Sequence, residues 1–193
     1  WDHLAWSETL DSLAMRSAGA CFGTLGQRNS ASLHCVGRFM GAMPPSALRV
    51  LDINLRAPFF DDRVIQHSLN LANVLKLSDE ELGPVAKACG IEGPEDQVLS
   101  VLTDSFDLQV IALTRGEQGA TLIRDGERSD VAAVSVTVRD TVGAGDAFTA
   151  ALIQGLLAND PIETINRRAG QIAAYVCTQS GATPSLPTEL LSE

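Results

Sequence analysis

Basic residues are scarce in this chain: 14 lysines and arginines stand against 24 aspartates and glutamates, a formal net charge of −10. A surface of that sign repels nucleic acid and anionic membranes, so neither is expected as a partner and any bound anion must be held locally. No run of 18 or more apolar residues occurs, which excludes a membrane-spanning helix of ordinary length. The first residues lack the basic flank and apolar core of a secretory signal, so the expected location is the cytoplasm. Cys21, Cys35, Cys89 and Cys177 lie far apart with no C-x-x-C pair, and only His3, His34 and His67 are at hand to complete a metal cluster. Buried free thiols are expected rather than disulfides or zinc. Aromatics make up 5% of the chain, and Trp1 and Trp6 have no basic neighbours in sequence; they are expected to pack on a surface rather than stack on a base. Two common phosphate loops are also missing, since neither G-x-x-x-x-G-K-[ST] nor G-x-G-x-x-G occurs.

What is present is enough for a core. With 193 residues and 45% hydrophobic content the chain reads as one α/β domain spanning residues 1–193. Apolar strand candidates at residues 20–25, 49–56, 73–77 and 108–114 alternate with helical stretches at 7–17, 30–43, 61–70 and 94–106. That alternation calls for a mostly parallel sheet with helices on both faces. Residues 121–124 and 132–138, the latter within a valine-rich strand candidate 131–138, read as an antiparallel edge joined by Asp125-Gly126, and 161–177 as the final helix. Asp52, Asn54 and Arg56 alternate at the end of the second strand, which puts them on one face at the carboxyl edge where such sheets carry ligands; a plain Asp52–Arg56 pair is the structural alternative. Ser78 and Glu81 have the spacing of a capping box, itself a sufficient account of Glu81. The chain opens on a helix, as though the fold were entered midway.

One stretch organises the rest. Asp140-Thr141-Val142-Gly143-Ala144-Gly145-Asp146 runs straight into the helical spacing of Phe148, Leu152, Leu156 and Leu157. Two glycines one residue apart free the backbone so that successive N–H groups can face one concavity at the positive end of a helix. Asp146, in the first turn beside that concavity, is placed to act as a general base. A lone Gly-Ala-Gly-Asp is more often a capped turn, because Asp and Gly are both favoured there. The turn at residues 114–120 adds a hydroxyl and two glycines at a strand end, suited to a polyphosphate lying against backbone.

Segments 140–146, 22–28, 52–56, 75–82, 114–120 and 181–184 together resemble the ribokinase-like (PfkB-type) carbohydrate kinases, in that family's order and at similar intervals. The wording of the second and third strands is similar to the fructokinase branch. The resemblance implies a ribokinase-like three-layer α/β/α fold lacking its leading strands and β lid. It implies ATP-dependent phosphorylation of a sugar hydroxyl, fructose to fructose 6-phosphate, with Asp146 as base and the amides of Gly143, Ala144 and Gly145 as anion hole. Lys76, Thr114 and Gly116 are then expected along the ATP phosphates, Gly119 near the nucleotide, and Asn54 and Arg56 facing the phosphate path. Glu81 matches the acid that orders water around Mg²⁺. Asp140, the carbonyl of Val142, Gly181 and Ser185 resemble a monovalent cation site for K⁺. The partners implied are a small sugar and ATP, with a homodimer formed by the full-length protein. Phosphorylation of 2-keto-3-deoxygluconate or ribose, or a catalytically silent nucleotide-binding or regulatory module, are the alternatives.

Overall fold

Short polar side chains start the helices of the first half. Ser7 accepts the amide of Leu10 and opens α1 (Glu8–Ala14); Asn29 opens α2 (Ser30–Ala42) through the amide of Ala31; Asp61 opens α3 (Asp62–Leu71) through the amide of Val64. Each cap satisfies an N–H that the helix itself cannot. The computed structural model describes residues 2–191, in two compact units that divide after Ile111. Trp1 lies outside the described residues.

The first unit also holds β1 (Gly19–Phe22), β2 (Leu48–Asp52), β3 (Val74–Ser78), α4 (Asp79–Ala88) and α5 (Glu95–Phe106). β1 pairs with β2 and β2 with β3, both parallel, with Val50 opposite Val74 and Asp52 opposite Lys76. Leu51, Ile53, Leu75 and Leu77 are fully buried. A near-continuous apolar run is what a strand covered on both faces requires. Trp6 lies against the Arg38 guanidinium of α2, 4.4 Å from its ring centre, so a basic residue does meet it in space.

β4 (Val110–Thr114) spans the division. The second unit continues with β5 (Ala120–Arg124), β6 (Glu127–Val131), α6 (Ala144–Ala158), α7 (Ile162–Cys177) and the short α8 (Thr188–Leu191). β5 and β6 are antiparallel, and Asp125 and Gly126 turn between them with φ of 52° and 82°, the left-handed pair a tight hairpin needs. The sheet runs β1-β2-β3-β4-β5-β6, a mostly parallel arrangement of the three-layer α/β/α class.

Several local expectations are corrected. Of the valine-rich stretch 131–138 only Val131 is in a strand: the hairpin partner is 127–131, and beyond it the chain leaves the sheet with Val134 and Val138 exposed. Branched side chains favour a strand only where neighbours exist to pack them. The alternation of Asp52, Asn54 and Arg56 also breaks. β2 ends at Asp52 and Asn54 turns left-handed at φ 42°, so the three do not share a strand face. Asp52 pairs with Lys76 rather than Arg56. Cys21 is exposed, Cys35 buried, and Cys89 and Cys177 half-buried, all with free thiols; β1 is accordingly less buried than its composition suggests. α7 is followed by α8 and so is not the last helix.

Candidate active site

In the second unit the motif is held by one carboxylate. Asp140 accepts the amide of Val142 at 3.0 Å and that of Gly181 at 3.1 Å, so the turn before α6 and the turn after α7 are fastened together. These two N–H groups hold the Asp140 carboxyl below the usual carboxylate range, because hydrogen bonds to the ionised form favour it. Gly143 sits at the N-cap of α6 with φ 83°. A β-carbon there would lie 2.4 Å from the carbonyl oxygen of Ala182. Only glycine can take both that conformation and that approach.

The amides at the start of α6 are arranged a little differently from the sequence expectation. Ala144 turns its N–H back toward the carbonyl of Thr141 at 3.3 Å, and Ala147 makes the first bond of the helix, to Gly143. The N–H groups of Gly143, Gly145 and Asp146 meet no partner among the described residues. Asp146's own amide thus joins the set, a donor that no residue type in the sequence marks, since every residue but proline carries one. The Asp146 side chain is exposed in the first helical turn and engages no other described residue. A carboxylate beside unpaired amides at a helix start can accept a proton while the amides hold negative charge.

A cavity of about 770 Å³ opens beside this turn, and Thr114, Gly116, Gly119, Thr141, Ala144 and Gly145 line it. Its further wall is the small-residue face of α7, namely Gly170, Ala173, Ala174 and Cys177. The i, i+3, i+4, i+7 spacing of those four was the available signal. Gly119, at φ 95°, lets the turn after β4 lie against the departing strand; a β-carbon there would come within 2.0 Å of the Val131 carbonyl oxygen. Asn166 fixes α7 to the hairpin, its side-chain amide donating to the carbonyls of Ala120 at 3.1 Å and Ser129 at 2.9 Å. Of the residues expected at a cation site, Asp140, Val142 and Gly181 are joined by hydrogen bonds, and the Ser185 carbonyl accepts the Tyr175 hydroxyl at 3.2 Å. No group of three or more His, Cys, Asp or Glu suited to a metal occurs among the described residues.

The first unit holds the other expected residues. Lys76 Nζ lies 3.1 Å from Asp52 Oδ1, with side chains 9% and 11% exposed; their pairing in the β2–β3 register explains why they meet. Lys76→Met is expected to lower stability by about 3 kcal/mol in urea denaturation, because the buried Asp52 carboxylate loses the cation that balances its charge. Asp52→Leu combined with Lys76→Met should recover most of that loss. Glu81 accepts the amides of Ser78 and Leu55, each at 2.8 Å, and closes the capping box at α4. The Arg56 side chain is exposed and donates only to the carbonyl of Leu55, at 3.3 Å, among the described residues.

The profile of the pfkB family of carbohydrate kinases matches residues 40–189. The fructokinase of Escherichia coli is 31% identical over 155 residues, covering 74% of this chain and 49% of that protein. Fructokinase-1 of Oryza sativa subsp. japonica is 32% identical over 162 residues, covering 77% and 49%. A sugar kinase of Pyrococcus horikoshii, solved in complex with ATP, superposes with a TM-score of 0.73 at 26% identity, covering 89% of this chain and 55% of that one. The chain therefore spans about half the length of the curated relatives it matches.

Proposed function

Since this chain belongs to the pfkB family of carbohydrate kinases, we propose that it carries the nucleotide site and catalytic base of an ATP-dependent fructokinase. The observation that carries the proposal is the unpartnered Asp146 carboxylate beside the free amides of Gly143, Gly145 and Asp146, at the edge of the cavity. Asp146 takes the proton from the sugar's 6-hydroxyl as its oxygen bonds to the γ-phosphorus of ATP; the bond from that phosphorus to the ADP oxygen breaks. Charge on the transferring oxygens falls to the amides of the turn, in a reaction where positioning and electrostatics do most of the work.

Ala144 contributes its Cβ and backbone to the rim of that turn. Thr114, Gly116 and Gly119 line the cavity where a polyphosphate and base fit, and ATP is bound by the Pyrococcus relative. In the first unit, Lys76, Asn54 and Arg56 keep the phosphate-side roles implied by the family, although Lys76 must turn from Asp52 to take its part. Mg²⁺, when bound, neutralises phosphate charge and is held mostly by water and phosphate oxygens; Glu81 is the acid assigned to that water. Asp140, Val142, Gly181 and Ser185 supply a carboxylate and carbonyls, a donor set suited to a hard cation such as K⁺. No helix among the described residues is long and apolar enough to cross a membrane, and the proposed setting is the cytoplasm, with the full-length protein pairing as a homodimer.

Fructose is chosen because the curated relatives at 31% and 32% identity are fructokinases. A panel of fructose, ribose and 2-keto-3-deoxygluconate, read by ADP release from MgATP, tests the choice. Release is expected to be fastest with fructose. Faster release with ribose or the sugar acid replaces the substrate, and ATP binding without release on any sugar favours the silent-module alternative.

A further inference from the structure

The bond between Glu81 and Leu55 is not explained by helix capping. A capping box needs one oxygen of the third-position acid, and here Oε2 does that work, accepting the Ser78 amide at 2.8 Å and the Ser78 hydroxyl at 3.1 Å. Oε1 is spent on the amide of Leu55, 26 residues away in sequence, at 2.8 Å. Just before Leu55 the chain changes character. Ile53 still follows the sheet, donating to the Lys76 carbonyl at 3.1 Å, while its own carbonyl accepts the Thr24 hydroxyl at 2.8 Å. Asn54 then departs at φ 42°, a left-handed turn that asparagine takes more readily than most residues with a β-carbon. The Leu55 amide, released from the sheet, finds Glu81.

We propose that Glu81 is a positioning residue for phosphoryl transfer: its carboxylate clamps the Asn54-Leu55-Arg56 loop to the first turn of α4. The inference rests on the kinase reading and adds to the metal-side role of Glu81 a duty toward the protein itself. Both oxygens are engaged by N–H donors within the first unit, so loop and helix start move as one body. Asn54 and Arg56 flank the clamped amide, and their side chains inherit its precision.

Glu81→Gln separates the two duties. Glutamine serves equally well in a capping box through its single carbonyl oxygen, but its amide nitrogen then faces the Leu55 N–H, donor against donor. In the purified protein, Leu55 amide exchange is expected to quicken about tenfold to a hundredfold, with the amides of α4 still protected. Turnover at saturating MgATP should fall at least about tenfold, as slight misplacement of a positioning group does, and raised Mg²⁺ should not restore it. Glu81→Asp, one methylene too short to reach both donors, serves as the second variant and should behave alike. Unchanged Leu55 exchange overturns the clamp. Turnover restored by raised Mg²⁺ overturns it equally, because Glu81 then serves the metal alone. If the unaltered protein transfers phosphate to no sugar while Leu55 exchange still depends on Glu81, the kinase reading falls and the clamp stands.

Discussion

Asp146→Asn is expected to lower turnover with fructose about a thousandfold or more, with the dissociation constant for ATP changed by less than about threefold. Asparagine has the shape of aspartate and cannot take up a proton, so the loss falls on the step in which the hydroxyl is deprotonated. The setting of Asp146 makes the test clean. Its side chain is exposed and bonds to no described residue, so replacement removes only a modest interaction with the helix start, about 0.5 kcal/mol. A drop in turnover therefore reports chemistry rather than unfolding. Isothermal titration with ATP, beside steady-state rates, separates binding from catalysis. Near-normal turnover in the variant would remove the base assignment and with it the proposed mechanism.

Gly143→Ala is expected to cost about 2–4 kcal/mol of stability and to abolish the proposed anion hole together with the proposed activity. Two independent penalties coincide at this position. The backbone stands at φ 83°, which disfavours any β-carbon, and that carbon would also sit 2.4 Å from one backbone atom of Ala182 and 2.8 Å from another. Backbone cannot swing aside as a flexible side chain does. Relief requires the 140–143 turn to part from the turn at 181–182, which breaks the Asp140 bond to Gly181. Gly41→Ala is the control, lying in α2, followed by Ala42 and with nothing beyond its chain neighbours within 4 Å of its would-be β-carbon. It should raise stability by about 0.5–1 kcal/mol. Chemical denaturation of both variants checks the contrast, and a Gly143→Ala protein as stable as the parent would mean that the turn is not constrained as described.

The features legible in sequence were those set by neighbours along the chain. Ser7, Asn29 and Asp61 cap their helices as short polar residues do, and Ser78 with Glu81 closes the predicted box. The Gly-Ala-Gly-Asp turn could be read because left-handed glycine and a helix start are both local. What escaped was decided by contacts across the fold. Asp52 found Lys76 because parallel pairing aligns them, although Arg56 was nearer in sequence. Residues 132–138 have strand composition and no strand to join. The amide of Ala144 turns to the carbonyl of Thr141, a backbone contact that residue types do not announce. The cavity wall on α7 is written in small residues, whose shape carries meaning only once something stands opposite.

Asp140 and Gly181 are 41 residues apart, and the bond between them is what draws the motif shut. A chain still being synthesised, with α7 not yet emerged, has the whole signature sequence and no means of closing it. Ribosome-bound intermediates halted before Gly181 should consequently fail to retain nucleotide, and the capacity should arrive abruptly once the last turn is free to dock.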